Sequence, residues 1–187
     1  MSKNRLLNLP LTICGVAELD GHCGVGISHA LSILDPWTPD PDAFTRFGPH
    51  HRHVLRFHDH VDERPGDDAP QQHHVEAILG FGADFASAPP KHLLVHCWMG
   101  MSRSTAAAAI VLGQHMPGAE DAVFDRIFAV RPRSWPNVRM IAIADKLLGR
   151  RGAMLSALKD HHRRVLQHHP EIAQTLRGYG RSARPGE

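Results

Sequence analysis

One cysteine in this sequence has neighbours suited to an attack on a phosphate monoester. Cys97 follows the apolar run 93–95, and Arg103 comes six residues later, just before the apolar stretch 104–116. A turn between a buried strand and a buried helix directs backbone N–H groups and the positive helix end toward one point, where an anion is stabilised. Gly100 lets the turn close tightly, because glycine tolerates positive φ. The pattern predicts a phosphate-binding loop with a reactive sulfur at its base.

The residue types in this loop favour a catalytic site over a chance combination of residues. Arg103 carries a planar guanidinium that binds two phosphate oxygens and keeps its charge. The same surroundings favour the thiolate of Cys97, which is the nucleophilic form. A buried thiol followed by a surface arginine is the alternative, and the apolar strand, the glycine and the apolar helix count against it. The residues predicted to surround the phosphate are Trp98, Met99, Gly100, Met101, Ser102 and Arg103.

The elements around this loop indicate an α/β fold. Apolar runs predict strands at residues 11–16, 27–34, 53–58 and 93–95. Helical spacing predicts helices at about 70–86, 104–116, 123–128, 137–148 and 153–166. Early strands followed by helices predict a central, mostly parallel sheet of four to five strands flanked by helices. One domain is expected over residues 1–178, and the Gly/Pro-rich residues 179–187 are expected to form a loose tail.

The loop also resembles the active-site signature of the protein tyrosine phosphatase superfamily, and most of all its compact dual-specificity branch. The matching residues are His96, Cys97, Gly100, Ser102, Arg103 and Ser104. The resemblance extends from the second predicted strand to about Gly149. It implies a phosphotyrosine protein phosphatase-like fold and hydrolysis through a phosphocysteine intermediate, with no metal and no cofactor.

The resemblance implies further roles for side chains near the cysteine. Ser104 corresponds to the hydroxyl that helps the sulfur leave in the second step, and Ser102 steadies the loop; both could also cap the helix. His96 resembles the histidine that orients the loop, and a buried histidine at a strand end is the alternative. Asn137, in the segment 131–137, resembles the asparagine that braces the loop, and a plain helix N-cap is the alternative.

A carboxylic acid should protonate the leaving oxygen. The candidates in the loop after the third predicted strand are Asp59, Asp62, Glu63, Asp67 and Asp68. The resemblance puts the acid just past the strand, which favours Asp59, and a strand end is better anchored than a loop tip. Asp62 is the alternative, because the residues around Gly66 resemble a small insertion that shifts the alignment.

The composition argues against several other classes of function. The 187 residues are 42% hydrophobic with a net charge of +2, so neither nucleic acid nor a membrane is an expected partner. No apolar stretch approaches the roughly 18 residues of a membrane helix, and no secretory signal is recognised. The 3 scattered cysteines favour a cytoplasmic location. The 16 histidines show no zinc-ligand spacing, so no metal is expected.

The expected substrate is a phosphorylated protein, first of all on phosphotyrosine by the resemblance, or a small phosphate monoester. Inorganic phosphate or sulfate is an expected occupant of the loop. The loop contains no lysine, which argues against a highly charged inositol lipid, and Arg131 is interpreted as part of a solvated surface. A sulfurtransferase and a non-catalytic phosphate-binding module are the alternatives. The hydroxyl of Ser104 and the upstream carboxylates favour the phosphatase.

Overall fold

The computed structural model describes residues 4–62, 66 and 68–187, and it places a four-stranded parallel sheet at the centre of the fold. The strands are β1 (Leu11–Gly15), β2 (His29–Leu34), β3 (His51–Arg56) and β4 (Leu93–Cys97). Their order is β1–β4–β2–β3, and every neighbouring pair is parallel. All four carboxyl ends therefore meet at one edge of the sheet, where β4 ends at Cys97. The predicted α/β fold is confirmed.

Helices cover one face of the sheet and short 3-10 helices the other. The α-helices are α1 (Asn4–Leu7), α2 (Gln72–Gly82), α3 (Arg103–Gly113), α4 (Glu120–Val130), α5 (Val138–Leu147), α6 (Ala153–His168) and α7 (Ile172–Gly178). The 3-10 helices span Val16–His22 and Asp42–Arg46. A parallel sheet is normally buried on both faces, which explains why every residue of β4 is buried.

The third strand lies two residues earlier than predicted. The sequence predicts residues 53–58, whereas β3 begins at His51 and ends at Arg56. Arg56 pairs with Leu34, the last residue of β2, and the chain turns away at Asp35 and Pro36. Beyond Arg56, the amide of Phe57 still bonds to β2, through the carbonyl of Leu34. Residues 57–59 therefore leave the sheet at the edge where β4 also ends.

The segment after β4 packs as its sequence predicts. Every residue of α3 is buried, and the helix contacts both β4 and β1. Four consecutive alanines, residues 106–109, let α3 approach the sheet closely. Full burial of a side chain such as Leu93 or Leu94 stabilises the fold by about 1.5–3 kcal/mol. The strand and helix thus form a rigid base for the turn between them.

Two α-helices are absent from the sequence prediction. The first, α1, has four residues, and α7 has seven, of which Ile172 and Leu176 are buried. Segments this short contain too few apolar positions to show a helical period. Residues 179–187 contain no further helix, but Arg181 contacts Asp59 in the loop that follows β3. Among the described residues, no helix combines the length and apolarity needed to cross a membrane.

Candidate active site

The carbonyl groups of the turn between β4 and α3 all have partners outside the turn. The partners include Val16 N for Trp98 O, Arg131 Nη2 for Met99 O, Arg131 Nε for Gly100 O, Trp135 N for Met101 O, and Asn137 N for Ser102 O. Their distances run from 2.8 to 3.4 Å. The carbonyls are therefore held away from the sulfur of Cys97.

The backbone amides of the same turn point the opposite way. In a planar trans peptide the N–H and C=O groups are antiparallel, so outward carbonyls turn the next residues' N–H groups inward. None of the amides of residues 98–102 donates a hydrogen bond within the described part of the chain. Unpaired backbone donors that converge on one point form an anion-binding nest. The turn can therefore bind a tetrahedral oxyanion above Cys97.

Gly100 permits this shape because the turn lies directly against β1. Its φ is +68°, and a Cβ atom there would lie 2.3 Å from the carbonyl carbon of Cys14 and 2.5 Å from the nitrogen of Gly15. Gly15 is constrained as well, since its own Cβ would lie 2.9 Å from the carbonyl oxygen of Trp98. Neither position accommodates a side chain without moving backbone atoms. Glycine at residues 15 and 100 thus brings the turn against β1.

Arg131 braces the outer side of the turn, which corrects its assignment to a solvated surface. Its guanidinium donates to the carbonyls of Met99 and Gly100 at 3.0 and 3.1 Å. It also forms a two-pronged ion pair with Glu18, at 2.8 and 2.9 Å. Glu18 in turn accepts a hydrogen bond from the amide of Gly15. Arg131 therefore ties the turn to the end of β1.

Cys97 and Ser104 lie next to each other under the turn. The Sγ atom of Cys97 is 3.2 Å from the Oγ atom of Ser104, and only 2% of Cys97 is exposed. Ser104 occupies the second position of α3, so its hydroxyl is aimed at the sulfur by the first helical turn. The hydroxyl can stabilise a thiolate by donating a hydrogen bond to it.

Arg103 is held by two acceptors on one side of its guanidinium. Its Nη1 atom donates to Asp35 Oδ1 at 2.8 Å and to the carbonyl of Phe57 at 2.5 Å. The residue is 2% exposed, yet its Nε hydrogen has no partner among the described residues. A buried guanidinium with an unpaired edge suits a bound oxyanion. Sequence reasoning missed Asp35, although its place directly after β2 puts it at the same sheet edge.

His96 is a neutral, fully buried residue of β4. Burial, reinforced by the charge of Arg52, lowers the pKa of His96 to about 4. Its Nε2 atom is 2.7 Å from Ser32 Oγ, and Ser32 Oγ accepts a hydrogen bond from Arg52 Nε at 2.8 Å. The Ser32 proton is then free to be donated to the imidazole. The contact between His96 and Ser32 links β4 to β2 at the residue that precedes Cys97.

Asp59 lies at the rim of the turn and is held there by several donors. Ser102 Oγ donates to its Oδ1 at 2.7 Å, and Asn137 Nδ2 donates to the same oxygen at 2.8 Å. Arg181 Nη1 donates to Oδ2 at 3.1 Å. Ser102 makes no capping bond with its side chain, so its hydroxyl serves the carboxylate instead. The structure thus connects Asp59 directly to the turn.

Asn137 combines the two roles that the sequence left open. Its Oδ1 atom caps α5 by accepting from the amide of Met140 at 3.1 Å. Its Nδ2 atom donates to Asp59 and, at 3.2 Å, to the carbonyl of His60. Asn137 therefore contacts the loop that carries Asp59 and, through its backbone amide, the turn at Ser102. The capping bond orients the side-chain amide of Asn137, because the Oδ1 atom bonded to the helix fixes the direction of the Nδ2 atom.

The other carboxylate candidates are placed differently. Asp62 is exposed and lines the same cavity as Cys97. Asp68 bonds through its carbonyl to the amide of His58 and does not line that cavity. Glu63 and Asp67 lie outside the described residues. Among the described carboxylates of this loop, Asp59 and Asp62 line the cavity that contains Cys97.

A cavity of about 680 Å³ opens above the turn. Its lining residues are Asp35, His58, Asp59, His60, Val61, Asp62, Cys97, Trp98, Met99, Met101, Ser102, Arg103, Val138, Tyr179, Gly180, Arg181, Ser182 and Glu187. Three of them, Trp98, Met99 and Tyr179, are exposed large hydrophobic side chains. The cavity thus has a polar base and a partly apolar mouth.

Cys14 and Cys97 project from opposite faces of the sheet. Cys14 pairs with His96 in the β1–β4 ladder, whereas Cys97 pairs with Gly15. Neighbouring side chains on a strand alternate between faces, and the two thiols pack into separate hydrophobic clusters. Burial, and next the charge of Glu18, raises the pKa of Cys14 to about 12. Cys14 is therefore poorly suited to form a disulfide with Cys97.

The described residues contain no group of three or more His, Cys, Asp or Glu side chains arranged to hold a metal ion. Histidine pairs such as His161 and His162 are instead buried individually, with His161 Nε2 at 2.9 Å from Ser134 Oγ. His162 stacks on Trp135 with a ring separation of 3.7 Å. These histidines pack the core around α6.

The sheet order, the covering helices and the cysteine–arginine turn define the phosphotyrosine protein phosphatase-like α/β fold. Human DUSP28 superimposes with a TM-score of 0.59 at 16% identity, over 79% of this chain and 96% of that chain. A mouse putative dual specificity phosphatase complexed with zinc tungstate gives 0.52 at 21% identity, over 75% and 79%. The Yvh1 phosphatase domain from Chaetomium thermophilum gives 0.51 at 24% identity, over 77% and 93%.

These likenesses, all below one quarter identity, establish the fold of the chain. No protein-family model and no curated protein matches the sequence.

Proposed function

We propose that this chain is a cysteine-dependent phosphate monoester hydrolase that acts through a phosphocysteine intermediate. The observation that carries the proposal is the turn over Cys97, in which every carbonyl of residues 98–102 is bonded outward. The unpaired edge of Arg103 adds a fixed positive charge to the inward amides. Preorganised donors of this kind stabilise the charge on a transferring phosphoryl group without reorganisation.

In the first step the Cys97 thiolate attacks phosphorus. A sulfur–phosphorus bond forms, the bond from phosphorus to the ester oxygen breaks, and that oxygen leaves with a proton from Asp59. The inward amides and Arg103 contact the three non-bridging oxygens. Asp35 keeps the guanidinium oriented, because it occupies Nη1 and leaves the rest of the fork for phosphate.

In the second step water attacks the phosphocysteine. The oxygen–phosphorus bond forms as the sulfur–phosphorus bond breaks, and the Asp59 carboxylate accepts the proton of the water. The sulfur leaves as a thiolate, and Ser104 is 3.2 Å away to donate a hydrogen bond to it. Inorganic phosphate is released, and the enzyme returns to its starting protonation state.

Asp59→Asn is expected to lower kcat for phenyl phosphate by about 10²–10⁴-fold, the usual contribution of a general acid. The loss should be much smaller for p-nitrophenyl phosphate, because p-nitrophenolate leaves without a proton more readily. Steady-state kinetics with both esters measures the difference. Asp62→Asn is the matched control, since Asp62 lines the cavity without contacting the turn in any described bond. A leaving-group-dependent loss in Asp62→Asn alone would reassign the acid to Asp62.

A phosphorylated protein, first of all one carrying phosphotyrosine, is the substrate class we favour. The apolar side chains of Trp98, Met99 and Tyr179 at the cavity mouth suit an aromatic or peptide group. Four carboxylates and two arginines line the cavity, which disfavours a substrate with several phosphates. The mouse putative dual specificity phosphatase of similar fold was solved in complex with zinc tungstate, and tungstate is a tetrahedral oxyanion of phosphate shape. This supports a single phosphate monoester in the cavity of this chain.

The proposal is tested by incubating the purified chain with p-nitrophenyl phosphate, phosphotyrosine and phosphothreonine peptides, an inositol phosphate and thiosulfate. We expect release of inorganic phosphate from the aryl ester and from the phosphotyrosine peptide. Sulfur transfer from thiosulfate without phosphate release would indicate a sulfurtransferase. Binding of the phosphopeptides without turnover would indicate a non-catalytic module. Either of those results rejects the hydrolase.

A further inference from the structure

Arg181 reaches the active-site cavity from beyond the last helix of the fold. Its Nη1 atom donates to Ser102 Oγ at 2.6 Å and to Asp59 Oδ2 at 3.1 Å. The side chain is only 12% exposed, although the residue belongs to the polar segment 179–187. An arginine on a solvated surface keeps most of its side chain exposed, whereas Arg181 is largely buried and forms two hydrogen bonds inside the cavity. The contact therefore calls for a specific role.

The segment that carries Arg181 is attached to the fold on both sides of that residue. The amide of Arg181 donates to the carbonyl of Leu176, which is fully buried at the end of α7. Further along, the amide of Gly186 donates to His162 Nδ1 at 3.2 Å. His162 stacks on Trp135, whose own amide bonds to the turn at Met101. These anchors present the Arg181 side chain to the cavity.

The two oxygens of Asp59 have different partners, and this difference indicates a role for Arg181. Oδ1 accepts two hydrogen bonds, from Ser102 and Asn137, whereas Oδ2 accepts one, so Oδ2 is the oxygen with a lone pair left for a transferable proton. Arg181 is the residue that contacts Oδ2. Two donors on one oxygen still allow the carboxyl group to tilt, whereas a third contact on the other oxygen fixes its plane. Misplacement of a catalytic group by about 1 Å can cost about 10²-fold in rate.

We infer that Arg181 is a positioning residue, which holds the Oδ2 atom of Asp59 at the phosphate-binding turn so that it can protonate the leaving group. The inference rests on the proposed hydrolase function. It also makes residues 179–182, which line the cavity, a structural wall of the active site. Because Arg181 acts through Asp59, replacing Arg181 should lower the rate most for substrates whose leaving group needs a proton.

The test compares Arg181→Ala, Arg181→Lys and the control Arg184→Ala in the full chain. Arg184 lies in the same segment with its side chain 82% exposed, and it pairs with Glu187 at the surface. We expect Arg181→Ala to lower kcat for phenyl phosphate by about 10–10²-fold, with a much smaller loss for p-nitrophenyl phosphate. Inhibition by inorganic phosphate should be unchanged. Arg181→Lys should recover part of the rate, since both bonds come from a single nitrogen.

A double-mutant cycle with Asp59→Asn distinguishes positioning from a general structural role. In the Asp59→Asn background, Arg181→Ala should cause no further loss with phenyl phosphate. Equal losses for both esters, weaker phosphate inhibition, a full additional loss in the double variant, or higher activity of Arg181→Ala would each overturn the inference. If the wild-type chain hydrolyses no phosphate ester, the proposed function fails and this inference fails with it. An active wild type with an unaffected Arg181→Ala rejects the inference alone.

Discussion

Cys97→Ser is expected to abolish hydrolysis of p-nitrophenyl phosphate, with a fall in kcat of about 10⁴–10⁶-fold, as for loss of other catalytic nucleophiles. A serine hydroxyl at this position stays protonated at neutral pH, and its nearest described partner is Ser104, which is no base. The inward amides and Arg103 remain, so the variant should still bind inorganic phosphate. Steady-state kinetics and calorimetric titration with phosphate measure the two properties separately.

Cys23→Ser is the matched control for this experiment. Cys23 is half-buried, and its thiol contacts the carbonyls of Leu19 and Ala43 in the 3-10 helices on the other face of the sheet. We expect Cys23→Ser to retain wild-type turnover. Acid quenching of the wild type during turnover should trap phosphate on a peptide that contains Cys97. Undiminished turnover by Cys97→Ser, or label on another residue, contradicts the proposed nucleophile.

Arg103→Lys is expected to lower kcat/KM for aryl phosphates by about 10²–10³-fold, the effect of removing one preorganised donor from an oxyanion site. Lysine keeps the positive charge but has one nitrogen instead of a planar fork. In the wild type, one nitrogen of the fork already serves Asp35 and Phe57, so the remaining edge is what phosphate can use. A lysine ammonium cannot satisfy both sets of partners at once. Kinetics with p-nitrophenyl phosphate and inhibition by inorganic phosphate measure the loss.

Arg133→Lys provides the comparison at an exposed site. Arg133 is 63% exposed and pairs with Glu171 at the surface, where lysine can substitute for it. Its activity should equal that of the wild type. Thermal unfolding of both variants separates a catalytic loss from a loss of folded protein. A folded Arg103→Lys variant with wild-type kcat/KM would remove Arg103 from the proposed mechanism.

Much of the candidate site could be predicted because it is local in sequence. The strand β4, the turn and the helix α3 follow one another within residues 93–113, and each has a clear apolar or glycine signal. A phosphate-binding turn is formed mainly by backbone amides, so its shape depends on neighbouring residues. The α/β architecture was predictable for a similar reason, since buried strands and helices show their period in the sequence.

The sequence also narrowed the general acid to a short loop without deciding between its members. Asp59 and Asp62 have the same chemistry and are three residues apart. The end of β3 at Arg56, two residues earlier than predicted, changes how that loop leaves the sheet. The contacts of Asp59 with Ser102 and Asn137 become visible only in three dimensions.

The sequence by itself determined the turn, its cysteine and arginine, and the class of fold that contains them. Only the tertiary structure decided which distant polar residues support that turn. Asp35 is 68 positions from Arg103, Glu18 is 113 from Arg131, and Asp59 is 122 from Arg181. Charged residues outside an apolar pattern have the same sequence signal whether they face water or a partner. Their pairing depends on the parallel strands that end at one edge and on the packing of the last helices against it.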